Sequence, residues 1–247
     1  MLKSSCLRRQ YGTSLIELMI GSAVGLIVLS GVTAIYANTV QINAKGLALV
    51  RLNQELNATL YLMTRDLRRA GYWAGQPGVD SMGDNPFFFP ENALRVGQHP
   101  KEGRYSCILF SYDLNGDKQV GVGSNGANSP DYSEKNQERF GFRLRNRTVQ
   151  MRSGGRAYDC TRGYWQSVTE PDVEITELRF VFQEDCRNLS DATEPCASDV
   201  PTQYLRKVDI HLSGRLVQDP QMKSTLTESV QVRNHYFIGQ NLRTRLP

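Results

Sequence analysis

The sequence predicts an α+β chain in which one long N-terminal helix, membrane-spanning and then amphipathic, packs on an antiparallel β-sheet head. Three observations carry that expectation. An uncharged run, LMIGSAVGLIVLSGVTAIYA, occupies residues 18–37. A stripe of apolar residues at helical spacing follows it, and after that come five or six short stretches in which apolar and polar residues alternate. The run is expected to cross a membrane, the stripe to seat the head, and the alternating stretches to form the sheet.

At about 1.5 Å per residue the uncharged run spans roughly the 30 Å of a bilayer core. Lys3, Arg8 and Arg9 precede it, so the positive-inside bias places the leader in the cytoplasm and everything after Val40 on the far side. A secretory signal peptide is one alternative. The run exceeds the usual apolar length of such a peptide, however, and Ile35-Tyr36-Ala37 is not a clean A-x-A cleavage site. A plain single-pass anchor is the other alternative, and Glu17 sets the chain apart from it. An unpaired carboxylate at the mouth of the run would cost up to about 2.5 to 3.5 kcal/mol at membrane depth. A cut after Gly12 would create an α-amino group at Thr13, four residues earlier on the same helix face and near the positive end of the helix dipole. That amine partly neutralises Glu17 within one chain, or pairs with a neighbour's glutamate and sets an axial register.

Arg8-Arg9-Gln10-Tyr11-Gly12 followed by Thr13-Ser14-Leu15-Ile16-Glu17 resembles the prepilin cleavage motif of type IV pilin-like proteins, with glycine before the scissile bond and glutamate at the fifth mature position. The resemblance implies cleavage between Gly12 and Thr13 by a membrane aspartyl prepilin peptidase, N-methylation of Thr13, and assembly of the helix into a filament core with Glu17 as the register residue. The commonest form of the motif has phenylalanine at the new N-terminus, where this chain has Thr13.

Beyond the run, apolar residues fall at Leu49, Leu52, Leu56, Leu60, Met63, Leu67 and Ala70, one stripe of an amphipathic helix. Arg51, Asn53, Glu55, Arg65, Asp66 and Arg68 fill the other faces, and Gly71 supplies a stop signal. Joined, the two segments give a helix from about Ser14 to Ala70, roughly 85 Å long if unbroken. Gly21, Gly25, Gly31 and Gly46 weaken it, but no proline precedes Pro77. The stretch NQELNATLYLMTRDLRRAGYWAG, 53–75, resembles the end of that helix in PilW-type minor pilins and related minor pseudopilins. The expected organisation is a leader at 1–12, a helix at 13–71 (membrane or filament core 13–40, amphipathic 41–71), and a β-rich, disulfide-bearing head at 72–247.

Lys3, Arg8 and Arg9 carry three of the four net positive charges, so charge gives no case for nucleic acid. Of five cysteines, Cys6 lies in the leader and Cys107, Cys160, Cys186 and Cys196 follow the apolar run. An even four after an export signal suits an oxidising compartment and disulfides. Three connectivities are open. Cys186 with Cys196 and Cys107 with Cys160 are favoured, because short intervals close at low entropic cost. A zinc site is disfavoured, since no C-x-x-C pair occurs and His99, His211 and His235 lie apart in sequence.

Within the head, Pro77, Pro86, Pro90 and Pro100 mark an irregular connection, with Phe87-Phe88-Phe89 tucked beneath it as a plug. Strand signals follow at 107–112, 140–145, 149–151, 178–182, 208–212 and 230–232, with a turn at Asn146-Arg147. Asp113, Asn115 and Asp117 match the first three oxygen positions of an EF-hand loop, which would suit calcium. Lys118 and Ser124 break that pattern at its glycine and glutamate positions, and Asx-turn chemistry explains the same residues. Arg143, Arg145, Arg147 and Arg152 read as a solvated basic face. No G-x-S-x-G, H-E-x-x-H or phosphate-cradling loop occurs, so no catalytic residues and no enzyme are expected.

The resemblance implies a minor pilin that primes and joins a type IV pilus, supporting twitching motility and adhesion. Its expected partners are other minor and major pilins, the prepilin peptidase/methyltransferase and the inner-membrane assembly platform. It would sit in the inner membrane with a periplasmic head before assembly and in the pilus afterwards. A minor pseudopilin of a type II secretion system is the alternative within the class. A membrane-anchored periplasmic enzyme or binding module is the alternative outside it.

Overall fold

The computed structural model describes residues 12, 14–75, 85–121, 137–155, 157–197 and 200–238. The chain divides into two compact units, Met1–Ala48 and Leu49–Pro247. Helix α1, Leu15–Leu67, runs through the boundary between them.

In the first unit, the side chains of α1 are exposed along nearly its whole length, Leu26, Ile27, Leu29 and Ile35 among them. This is the one described helix long and apolar enough to cross a membrane. Its hydroxyls are turned inward. Ser22, Ser30, Thr33 and Thr39 donate to the carbonyls of Met19, Ile27, Leu29 and Ile35. These four hydroxyls are thus satisfied within the helix itself, as an apolar surrounding requires.

In the second unit the same helix buries one stripe. Leu52, Leu56, Leu60, Met63 and Leu67 are at most 6 % exposed. Leu49 was expected to begin the stripe, but it is 41 % exposed, because the covering by the sheets starts one turn later. The helix ends at Leu67, and residues 68–71 form a turn that closes on Gly71 at φ +76°. A Cβ there would stand 2.4 Å from the Phe88 ring, so glycine meets both the backbone and the packing requirement.

Two antiparallel sheets pack with this half of α1, where the sequence suggested one. The first is a meander of β1 (Arg95–Gly97), β2 (Cys107–Ser111), β3 (Arg139–Arg145), β4 (Thr148–Gly154) and β5 (Tyr164–Ser167). Asn146 and Arg147, both at positive φ, make the two-residue turn between β3 and β4. One face carries Ile108, Phe110, Phe140 and Phe142; Phe110 stacks with Phe140, Phe142 and Tyr112, and Tyr112 also stacks with Phe140. The guanidinium of Arg69, just past α1, lies 4.4 Å from the Tyr112 ring. The opposite face carries Cys107 and Leu109, which form a separate small core with Tyr158, Cys160 and Trp165.

The second sheet has the order β6 (Val173–Asn188), β7 (Thr202–Leu216), β8 (Lys223–Gln231), with β9 (Tyr236–Ile238) also on β7. A bulge between Ile175 and Glu177 shifts the alternation, so Val173 and Ile175 point inward before it and Leu178 and Phe180 after it. Val208, Ile210, Leu212 and Val230 complete that face. At Gly214 the sheet meets the helix closely, since an added Cβ would lie 3.0 Å from Leu56 Cδ2. Polar contacts fix the crossing. Ser224 Oγ donates to Asn53 Oδ1, and the Glu170 amide donates to Glu55. After β8, the Arg233 amide donates to the Arg68 carbonyl, and Asn234 Nδ2 donates to the carbonyls of Arg69 and Ala70.

The Phe87–Phe89 plug is only partly a plug. Phe87 is 1 % exposed, in the middle of the 3-10 turn Pro86–Phe88 capped by Asn85, whereas Phe89 is 38 % exposed. A short turn points successive side chains in different directions, so it cannot bury all three.

Candidate functional site

Three groups of residues singled out in the sequence can now be placed: the N-terminal motif, the Asp113 loop and the cysteines. Gly12 is exposed, and Thr13 and the basic leader lie outside the described residues. Glu17 sits in the first turn of α1, exposed, with its amide donating to the Ser14 carbonyl. Among residues 15–44 it is the only charged one. A lone carboxylate in the first turn is favourably placed against the helix dipole and holds a defined height on an otherwise uncharged surface.

The Asp113 loop follows β2. Asp113 is 1 % exposed and accepts amides from Ala74, Gly116 and Lys118. Asn115 Oδ1 accepts the Asp117 amide and Asp117 accepts the Gln119 amide, so Asx turns shape the segment. Sequence reasoning missed Glu138, which is fully buried and accepts amides from Leu114, Asn115 and Gly121. Burial pushes its carboxyl up from the ordinary value, and those three amides partly offset the rise. Glu138 lies twenty-one residues beyond Asp117, and no local spacing signals it.

Carboxylate oxygens of Asp113, Asp117 and Glu138 lie within 4.8 Å of one another, the one such grouping among the described residues. These are the side chains that could hold a hard cation such as calcium. Every one of their six oxygens already accepts a hydrogen bond from an N–H group of the loop, from Ala74 or from Gly121. Asn115 contributes its amide group to Asp117. A cation would share these oxygens with the amide donors that shape the loop. The histidines form no cluster with these groups. His99 is 7 % exposed, and burial together with Arg143 and Arg145 lowers its pKa.

The structure joins Cys107 to Cys160 and Cys186 to Cys196. The first bond ties β2 to the loop after β4, within the small core. The second closes the end of the exposed β6–β7 ribbon. The loop of the first bond is also held by two arginines that the sequence placed on a solvated face. Arg143 and Arg152 are 2 % and 1 % exposed. Arg143 donates to the carbonyls of Cys160 and Thr161 and lies 4.1 Å from the Trp165 ring. Arg152 donates to the carbonyls of Arg139, Gly155 and Ala157. Burial lowers both guanidinium pKa values to about 10. The face was expected in water because its residues alternate with apolar ones, but residues 157–163 cover it, and backbone carbonyls supply the acceptors water would have given. These arginines form an internal clamp rather than a basic surface.

The chemistry of the described residues is that of a disulfide-pinned β unit on a helix whose other half is exposed, apolar and uncharged but for Glu17 near its start. Comparison with known proteins agrees. An uncharacterised protein of Haemophilus influenzae is 27 % identical over 189 residues, 69 % of this chain and 74 % of that protein. No solved structure matches the chain. The family model for prepilin peptidase-dependent protein B matches residues 45–232, from the last part of the exposed helix through β8. With that match covering most of its length, the chain belongs to the prepilin peptidase-dependent protein B family of pilin-like proteins.

Proposed function

We propose that this chain is a minor pilin, made as a precursor with leader 1–12, cut between Gly12 and Thr13, methylated at Thr13, and built into a type IV pilus whose assembly it primes. The observation that carries this reading is the exposed, uncharged surface of α1 from Leu18 to Ala44, entered by Glu17 alone. In an inner membrane that surface meets lipid. In a filament it meets other pilin helices, with the Thr13 amine and a neighbour's Glu17 setting the axial step. Membership of a prepilin peptidase-dependent family supports processing of this kind. The second unit then supplies lateral contacts to other minor and major pilins after the assembly platform extracts the subunit, and the chain has no enzymatic role.

Mass spectrometry of the mature protein tests the reading directly. The expected species begins at methylated Thr13, and Gly12→Val leaves the precursor uncut and removes essentially all of the protein from sheared surface filaments. A mature chain starting elsewhere would overturn it. Deletion with parallel counts of surface pili and assays of secreted protein separates the two machines: loss of pili and twitching with normal secretion supports the pilus, and the reverse assigns the chain to a type II secretion system as a minor pseudopilin.

A further inference from the structure

The turn that ends α1 opens onto a cleft made of two adjoining cavities in the second unit. One, of about 260 Å³, is walled by Trp73, Phe88, His235 and Phe237. The other, of about 480 Å³, is walled by Arg68, Arg69 and Tyr72. The two share Arg233 and Asn234. Its two halves differ in chemistry: the first is aromatic, the second basic.

The basic half is built rather than accidental. The Arg233 amide donates to the Arg68 carbonyl, which holds these two residues at one rim, and both are exposed. The acid in the lining, Asp113, is 1 % exposed and accepts the amides of Ala74, Gly116 and Lys118, and among the described residues it makes no salt bridge to either arginine. The aromatic half is also fixed. Trp73 Nε1 donates to the Lys118 carbonyl at 3.1 Å, and the buried Arg206 guanidinium lies 4.7 Å from the Phe88 ring. A small inorganic anion would use the arginines and leave the aromatic cavity unfilled. A purely apolar group would fill the cavity and leave the guanidinium groups without partners. An anionic group joined to an apolar one satisfies both halves, and an acidic chain bearing an apolar side chain supplies the two together along the cleft.

We propose that this cleft is a docking site for an acidic peptide segment of another protein, with carboxylates on Arg68 and Arg233 and one apolar side chain between Trp73, Phe88 and Phe237. The proposal does not depend on cleavage at Gly12 or on the machine in which the chain works. It is tested on the full chain in detergent micelles, with the fluorescent peptide Glu-Glu-Phe-Glu-Glu followed by anisotropy. Saturable binding is expected, weakened about tenfold by a central serine in place of phenylalanine and about tenfold by Arg233→Glu. Added salt should weaken it further. Arg233→Gln keeps the backbone amide on Arg68 and should give an intermediate loss, which guards against misfolding of the charge-reversed variant. Absence of saturable binding would overturn the proposal. So would equal binding by the Arg233 variants and the parent, or equal binding of the serine peptide with full displacement by inorganic phosphate, which would mark an anion site only.

Discussion

The two halves of α1 are both rich in leucine, yet one is exposed and the other is the keel of the folded unit. Leu26, Ile27, Leu29 and Ile35 are 62–71 % exposed, whereas Leu52, Leu56, Met63 and Leu67 are at 0 %. The difference lies in distribution around the axis. Residues 18–37 are apolar on every side, and no sheet of the same chain could cover them all. Residues 52–67 concentrate their apolar groups on one stripe, which a sheet can cover. Angular spread, more than total apolarity, therefore decides whether a helix is completed from within the chain or from outside it.

The sharpest way to break that comparison is to trim one residue from each half. Met63→Ala should lower the stability of the second unit by about 2 to 5 kcal/mol and its melting temperature by roughly 5 to 15 °C. Ile27→Ala should leave that melting transition unmoved, read by circular dichroism in detergent. Equal effects would mean that the exposed half also supports the fold. A smaller effect is expected at the boundary. Leu49→Ala should cost less than about 1 kcal/mol, because a half-exposed side chain forfeits only part of its burial. A loss as large as that of Met63→Ala would place the start of the covered stripe a turn earlier.

The smallest expected effect concerns pH, and it too should reside in the second unit. Burial raises the Glu138 carboxyl above its ordinary 4.5, so the stability tied to this group is full below 4.5 and is lost as pH rises through the folded-state value. Asp159 behaves oppositely. Burial pushes its carboxyl up, but hydrogen bonds from the Arg162 and Thr161 amides, the Thr161 hydroxyl and the Arg162 side chain outweigh that and hold it well below 3.8. Its contribution is present above 3.8 and is lost as pH falls below it. Melting profiles against pH should therefore flatten between 4.5 and neutrality in Glu138→Gln, and below 3.8 in Asp159→Asn. Slopes identical to the parent's would show that neither carboxyl is perturbed.

Much of the fold could be read from periodicity and local chemistry. The two regimes of α1, the stop at Gly71 and the Asn146-Arg147 turn each depend on residues close in sequence. What escaped the sequence depends on distant segments. Alternation in β3 correctly puts Arg143 on the face opposite Phe142, but it cannot say that residues 157–163 lie over that face, and so it mistakes a buried clamp for a wet surface. Glu138 is similar. It completes the Asp113 loop from across β2, and only strand pairing brings it there. The bulge at residue 176 likewise hides the continuity of the β6 core, because it changes the phase of the alternation midway. The division into two sheets follows from pairings over long separations, which no short window contains.

The bonds from Arg233 and Asn234 to the carbonyls of Arg68, Arg69 and Ala70 have a consequence for biogenesis. Those carbonyls are the loose ends of the first helix, and the groups that cap them arrive more than 160 residues later in synthesis. A nascent chain can form α1 early, but it cannot seal the helix terminus until nearly the whole polypeptide has been made. Completion of the fold is thereby coupled to completion of synthesis, and a molecule stalled or clipped before residue 233 would carry an open helix end that distinguishes it from the full-length chain.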